Sequence, residues 1–495
     1  MSNVILPVVL PLLAAFLMQP LARLSAGVAR LAGPLVLLAG LVLLLQLWFA
    51  PQSAPFTVAL GGFAPPLGIV FHVDQLALLF AMAVPLFTLF FWDWSASGGD
   101  DTQGRARQDA LMLLLAASAT GLALSGDLFN IYVFYELMAV ASFGLVSLRG
   151  TGPAQIATVR YLLLSAFGSV LALTGIAILY AQTGTLNLAQ LGQLAPTTLQ
   201  GPAGLAAFAL MLVGFGVKAE LFPVNTWVPE VYATAPARIA GLLAGLISKL
   251  AVLVVVRLLV VVYQDTGAAQ LMLVLGTLTI LFGEFAAWRA RDFPRMIGFS
   301  SIGQLGIVFI AFSIPGPWGL LAGLAVALHH LLIKSALFSL ANRWSGSLER
   351  LAGGARSAPV AAGLFVLLAL SLIGVPPLPG FWTKILVLAG LAQEGSGLHL
   401  TALGAILLVT AIEANYLFRF ATTLYRKSDS PPAAPGRQDV GAAALIGVVI
   451  VVLTLQIDPV GDRLRAVARE AADRDGYIST VYPSAQARAG REVSG

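Results

Sequence analysis

Long apolar runs alternate with short polar interruptions along most of the chain, and the runs have the length of membrane helices rather than of strands. About fourteen of them approach the ~20 residues that an α-helix needs to cross a hydrocarbon core. They centre on Leu10, Leu38, Leu79, Leu115, Val140, Ala172, Met211, Lys249, Thr277, Val308, Val326, Leu370 (with a broken continuation at Leu386), Ile412 and Val449. The pattern predicts an all-α membrane protein. Its expected parts are N-terminal transmembrane helices over 1–95, a core over 109–425, a last span over 439–457 and an exposed polar tail over 458–495. The opening MSNVILPVVLPLLAAF has no basic start and no clear cleavage site, so it reads as a first span rather than a signal peptide.

The interruptions are not equivalent. Assigned alternately to two sides, one set of loops holds Arg23, Arg30, Arg105, Arg107, Arg149, Arg160, Arg238, Arg289, Arg291, Arg295, Arg343, Arg350, Arg356, Arg426, Lys427 and Arg437. The other set, before the tail, holds no Lys or Arg; Arg257, inside the eighth run, lies nearest to it. Basic loops face the cytoplasm, which predicts a bacterial inner-membrane protein with both termini outside.

Composition agrees. Hydrophobic residues make up 58% of the 495 and charged residues 10%, with a mean hydropathy of +0.90. The net charge of +5 is explained by loop topology, so nucleic acid is not an expected partner. The absence of cysteine excludes disulfides, thiolate catalysis, Cys-ligated zinc and cysteine-held iron–sulfur clusters. With only four His, no metal or cofactor is expected. Ser165, Ser248 and Ser301 read as helix-packing serines, without a local His–Asp arrangement for nucleophilic catalysis. Asp74, two residues after His72, reads as interfacial or structural rather than metal-binding, and Asp127 as a helix cap.

Several ionisable residues nevertheless fall inside the apolar runs, where a charge costs about 2.5–3.5 kcal/mol on insertion scales. They are Glu136, Lys218, Glu220, Lys249, His329, His330, Lys334, Lys384 and Glu413. Each has an ordinary reading taken alone: a snorkelling lysine, a structural ion pair, a satisfied core histidine. As a set they suit a proton relay, because burial and a nearby carboxylate push a lysine's proton affinity in opposite directions. His330 and Lys334, four apart, share one helix face about 6 Å along the axis, whereas His329 points about 100° away. Pro223 and Pro229 follow Lys218, and Pro376, Pro377, Pro379 and Gly380 precede Lys384. Such breaks survive at membrane depth only inside protein or beside water, and a pair of them in two halves points to inverted repeats around an ion pathway. The expected repeats are spans 4–8 and 9–13, with the seventh and twelfth helices broken.

The segments SGDLFNIYVFYE (125–136), GFGVKAELFPVNTWVPEVY (214–232), APARIAGLLAGLISKLAVLVVVR (235–257), RDFPRMIGFSSIGQLGI (291–307), HHLLIKSALFSLA (329–341) and GVPPLPGFWTK (374–384) occur in family order. Together they resemble the antiporter-like, proton-translocating membrane subunits shared by Mrp-type cation/proton antiporters, complex I and membrane-bound hydrogenases. SGDLFN looks most like the D-type subunit of Mrp antiporters or its hydrogenase relatives, and Lys384, rather than Glu, is compatible with that. The resemblance implies 14 helices with two inverted repeats. It also implies a Glu136–Lys218 pair and a polar axis through Lys249, His330/Lys334 and Lys384, with His329, Glu413 and Glu220 secondary. The implied function is that of a subunit of a monovalent cation (Na+)/proton antiporter complex, with other membrane subunits, protons, Na+ and the lipid bilayer as partners. The alternatives are a proton-pumping subunit of a redox complex, such as NADH:quinone oxidoreductase or membrane-bound hydrogenase, and a membrane subunit energising another transporter, such as inorganic-carbon uptake. No redox or hydrolytic site is expected, so enzyme status rests on the complex. Asn225, Pro294–Arg295 and ANRWSG (341–346) depart from the common family pattern, and the chain after 457 is not expected to form a long lateral helix.

Overall fold

The computed structural model describes residues 2–50, 55–94, 102–264, 266–342, 344 and 346–482. Arg343 and the last residues of the expected tail, 483–495, lie outside the described residues.

Helices α1 (Leu6–Leu24) and α2 (Ala26–Trp48) pack as a pair, and a two-stranded antiparallel hairpin follows: β1 (Phe56–Ala59) and β2 (Val70–Val73), with Phe56 opposite Val73. The hairpin corrects the purely helical expectation; β-branched residues on both strands suit a pleated pairing. Asp74 then caps α3 (Gln75–Phe90) by accepting from the Ala77 amide. Next come α4 (Thr102–Leu124), α5 (Leu128–Ser147) and α6 (Gly152–Thr183). Asp127 caps α5, as its type and position predict, by accepting from the amides of Phe129 and Asn130. A short outer helix α7 (Leu188–Thr198) leads to α8 (Pro202–Gly216), α9 (Val228–Thr234), α10 (Ala237–Leu242) and α11 (Ser248–Arg257). Two π-helical stretches, Leu243–Ile247 and Leu258–Val262, flank α11.

The second half holds α12 (Thr266–Arg289), α13 (Phe293–Ser313), α14 (Gly316–Ala341), α15 (Gly354–Ser357), α16 (Pro359–Ile373), α17 (Pro379–Glu394), α18 (Gly397–Tyr425) and α19 (Arg437–Leu455). Every expected span centre falls inside a helix. Among the described residues ten helices are long and apolar enough to cross a membrane, or eleven if Leu348–Ser357 and Pro359–Ile373, bent by 116°, count as one span. The α3 and α8 helices are apolar but shorter. The protein is thus a multi-pass helical membrane protein.

Burial separates the helices into two kinds. The α1, α2, α18 and α19 helices expose wide apolar faces, with Phe16, Leu35, Leu407 and Val448 at least half exposed. By contrast, the 237–262 segment, α13 and α14 are buried almost throughout. These interior helices carry Lys249, His330 and Lys334. A helix apolar on all sides belongs in a protein interior, so the charges on it are surrounded by protein.

Regular helix is interrupted near both proline clusters. Between α8 and α9 the chain runs through turns over 217–227, where Glu220 takes a positive φ of 58°. Between α16 and α17, Gly374 takes φ 92°, and Pro379 starts the new helix at a position that needs no amide hydrogen. Two isolated bridges share one register. Asp127 bridges to Asn187, with Leu128 N donating to Leu186 O and Leu188 N to Gly126 O. Asp292, the cap of α13, bridges to Ser347 in the same register, with Phe293 N donating to Gly346 O and Leu348 N to Arg291 O.

The polar tail departs from expectation. Over 457–482 it is folded against the protein as α20 (Ile457–Ala472) and α21 (Arg474–Val481). Val467, Ala468 and Ala471 recur at helical spacing on α20 and are buried, while Asp462, Arg465 and Arg469 face out. The Glu470 carboxylate accepts from the Gln75 amide, and Arg474 donates to the carbonyls of Val261 and Gly192. Composition suggested exposure because the charges dominate the average; the apolar stripe is narrow but sufficient for docking.

Candidate functional site

Lys218 lies just beyond α8, in the first break, and is buried. Its ammonium donates to Ser165 Oγ of α6 at 2.7 Å and sits 4.1 Å from the centre of the Tyr135 ring on α5. Glu136, the next residue along α5, has one carboxylate oxygen buried without a hydrogen-bond partner. Among the described residues it makes no ion pair, so the expected Glu136–Lys218 contact is open in this conformation, although the carboxylate acts on Lys218 electrostatically. Ser165 therefore does more than pack: it is the neutral acceptor that holds the lysine.

Glu220 points into the interior from the same break. One oxygen accepts from Tyr232 Oη at 2.7 Å, and Ser301 also bears on the carboxyl. Lys249 donates to the Ala244 carbonyl and to Ser248 Oγ at 3.1 Å. Ala244 belongs to the π-helical stretch before α11, a distortion that sequence periodicity did not reveal and that recurs at functional sites. Glu220 bears electrostatically on both Lys249 and Lys334.

On α14, Lys334 donates to Ser300 Oγ of α13 at 2.7 Å and to the Ile297 carbonyl at 3.3 Å. His330, one turn earlier, is fully buried, and among the described residues neither ring nitrogen has a partner. A buried imidazole in that state is normally bonded. His329 turns the other way: its Nε2 lies 2.9 Å from Ser371 Oγ on α16, against the second break.

Lys384, early in α17, makes the one lysine–carboxylate contact of the series among the described residues. Its ammonium meets Glu413 of α18 at 2.7 Å and also donates to the Ile373 carbonyl at 3.0 Å. The other Glu413 oxygen accepts from Gln304 Nε2 of α13 at 2.7 Å.

Sequence reasoning missed Glu284 of α12. It is buried, accepts from Tyr416 Oη at 2.9 Å and leaves its second oxygen without a partner. Its electrostatic neighbours are Glu413, Lys334 and Lys384, so it completes the second half of the cluster. The signal was legible, since LFGEFAAW (281–288) places a carboxyl in an apolar run. Gln304 and Ser300, on the next helix, carry no charge and gave no such signal.

A separate cluster lies at the end of the molecule away from the arginine-bearing loops. Arg257 pairs with Asp74, His72 lies 3.7 Å from the same carboxylate, and the Tyr477 ring of α21 packs on His72 with centroids 3.9 Å apart and planes tilted by 39°. Burial raises the Asp74 carboxyl, but Arg257, His72 and the bonds it accepts together hold it below its ordinary value. Burial, aided by Arg257 and opposed by Asp74, lowers His72 to about 4. This cluster ties α3, α11 and the tail together.

A helical membrane protein with buried lysines and carboxyls running from one broken helix to the other belongs to the antiporter-like class of integral membrane subunits. The comparisons agree. The family model described as NADH:quinone oxidoreductase/Mrp antiporter, transmembrane, matches residues 125–409. The N subunit of NADH-quinone oxidoreductase from Desulforudis audaxviator is 32% identical over 458 residues, covering 89% of this chain and 90% of its own length. The D-type subunit of the Na(+)/H(+) antiporter from Alkalihalophilus pseudofirmus is 31% identical over 507 residues, covering 97% and 99%. A chain of the membrane-bound sulfane sulfur reductase, an archaeal respiratory membrane complex, superposes with a TM-score of 0.89 at 26% identity, covering 97% of this chain and all of that one. This chain belongs to the NADH:quinone oxidoreductase/Mrp antiporter family of membrane subunits.

Proposed function

We propose that the protein translocates protons as a subunit of an Mrp-type monovalent cation (Na+)/proton antiporter complex. It sits in a bacterial inner membrane with both termini outside. The observation that carries this reading is the series of ionisable side chains that runs from the half-buried Glu136 through the buried Lys218, Glu220, Lys249, His330 and Lys334 to Lys384 and Glu413. Intramembrane ionisable groups of this density belong to ion pathways. The reading includes about fourteen spans with inverted repeats over spans 4–8 and 9–13. The matching bridges Asp127–Asn187 and Asp292–Ser347 support that repeat, because they occupy corresponding places in the two halves.

In the proposed cycle Glu136 and Lys218 form a switch. Drawn together, they stabilise the proton on Lys218; drawn apart, the buried ammonium gives its proton up toward Lys249. The proton then passes by His330 and Lys334 to Lys384 and leaves on the outer side, while Lys218 reloads from the inside. Among the described residues no group of three or more His, Cys, Asp or Glu has the arrangement of a metal site, and the scheme uses none.

The second reading, a proton-pumping subunit of a redox complex, is favoured by the 32% identity to an N subunit of NADH-quinone oxidoreductase. Purification of the tagged complex in mild detergent separates the two. Small cofactor-free membrane subunits are expected; iron–sulfur, flavin or nickel subunits would replace the antiporter reading with the redox one. Lys218→Ala and Lys249→Ala, each at normal abundance, are expected to lower proton flux at least tenfold in inverted vesicles, and full flux in both would refute the relay.

A further inference from the structure

We propose that the chain contains a dedicated proton-access route from its arginine-bearing face to Lys249, along the seam between α10 and α14, closed by the side chain of Phe91. The proposal rests on the relay reading above and adds to it a route, a gate and a direction.

The route starts at a cavity of about 330 Å³ bounded by the ends of α3, α10, α14 and α19. Arg238, Gln438, Asp439 and Ser339 give it a polar wall. The mouth is organised by bonds: Arg238 pairs with Asp93 at 3.0 Å and donates to Gln438 Oε1 at 2.8 Å, and Asp439 accepts from Asn342 Nδ2 at 2.8 Å. The guanidinium is engaged by Asp93, and the side-chain donor to Asp439, among the described residues, is the neutral amide of Asn342.

Phe91 forms the floor. It caps α3, is 3% exposed, and lies over Gly241. A Cβ on Gly241 would come within 2.7 Å of the Phe91 ring, so the glycine is what lets the ring close against α10. Four residues further along the same helix, Gly245 faces Ser335 of α14; a Cβ there would stand 2.6 Å from Ser335 Oγ. That hydroxyl is fully buried and, among the described residues, has no hydrogen-bond partner. A buried hydroxyl without a partner beside glycine is a place for water rather than for packing. Ser335 lies about 9 Å from the inner end of α14, at 1.5 Å per residue. Past Gly245 come Ser248 and Lys249, whose ammonium faces the same seam through the Ala244 carbonyl. His330, with both nitrogens unpartnered, bears electrostatically on Lys249 from the other side. An aromatic floor between a polar mouth and an orphaned polar group is the arrangement by which apolar constrictions gate by dewetting.

The test uses the intact complex in vesicles, and the absence of native cysteine from this chain makes it direct. Ser339→Cys and Ser335→Cys are made separately, exposed to silver ion from either side, and read as protection of this chain from maleimide modification after denaturation. Ser339→Cys is expected to be protected quickly from the arginine-bearing side. Ser335→Cys is expected to be protected slowly from that side, and at least tenfold faster when combined with Phe91→Ala; Ser339→Cys should not change with Phe91→Ala. If Phe91→Ala fails to assemble, Phe91→Leu is expected to give a smaller acceleration of the same sign. A Ser335→Cys rate that ignores both Phe91 variants, or is faster from the opposite side, overturns the route. The labelling does not depend on flux, so loss of the relay reading in the lysine variants and loss of this route are separate results.

Discussion

The Lys384–Glu413 pair gives the sharpest means of separating stability from transport. The two groups meet at 2.7 Å, with side chains 10% and 2% exposed. Lys384→Met leaves Glu413 buried with Gln304 as its remaining bonded partner, and Glu413→Leu leaves an ammonium on the Ile373 carbonyl. Breaking a buried pair from one side costs about 3–5 kcal/mol, whereas replacing both partners by apolar side chains of similar volume is near neutral or stabilising. Each single variant is therefore expected to destabilise the purified complex by about 3 kcal/mol or more, and the double variant to recover most of it, giving a large coupling in the cycle. Flux is expected to behave differently. A relay member removed together with its partner is still missing, so all three variants should fall at least tenfold in fluorescence-quench assays on inverted vesicles. A double variant that regains stability and flux together would show that the pair only holds α17 to α18. A Lys384→Met complex as stable as the native one would show that the pair is not formed in the membrane.

Glu284→Gln keeps the size and the Tyr416 bond but removes a titratable carboxyl, and is expected to lower flux about tenfold or more with little change in thermal stability. Gly303→Ala is expected to act on the same group, because a Cβ there would run into Glu284 Oε1; native flux in both variants would remove Glu284 from the pathway. For the tail, His72 is held neutral to about pH 4 by burial, and partly by Arg257, against the pull of Asp74. Above pH 6.5 it is neutral whether the tail is docked or not. As pH falls from 6.5 toward 4, a state in which the tail has left His72 more exposed gains the proton first, so docking weakens over that window. Proteolytic cleavage within 457–482 should accelerate over that window and not in His72→Gln, and a pH-independent rate in the native protein would refute it.

What was legible in the sequence was legible because the bilayer makes it so. A charge in an apolar run is costly enough to mark itself, so Lys218, Lys249, Lys334, Lys384 and Glu413 could be picked out one by one. Glu284 carries the same signal, but no broken helix or neighbouring motif lies beside it in the sequence. Neutral partners carry no such mark. Ser165 and Ser300 look like any small residue on a packed helix, and only the fold shows each beneath an ammonium at 2.7 Å. The π-helical stretches beside α11 arise from packing and leave no break in the apolar pattern. The docking of α20 was hidden for the opposite reason: its charges are plentiful, and the three small apolar residues that bury are few.

The pattern of partners is itself informative about the proposed mechanism. Within this cluster Lys218, Lys249, Lys334 and Lys384 face an equal number of glutamates, the buried Glu220, Glu284 and Glu413 and the half-buried Glu136. Yet Lys384 alone touches its carboxylate, while the other three rest on hydroxyls, carbonyls or an aromatic face. Direct pairing everywhere would stabilise every ammonium and stop transfer; no carboxyls at all would leave the ammonium form too costly to populate. Carboxyls held one shell away keep the charge balance while leaving each lysine able to lose its proton to a neighbour. On the proposed reading the closed pair at Lys384–Glu413 and the open one at Glu136–Lys218 are two settings of the same device. Transport then requires that they exchange, and a variant that locks Glu136 onto Lys218 should be as inactive as one that lacks the lysine.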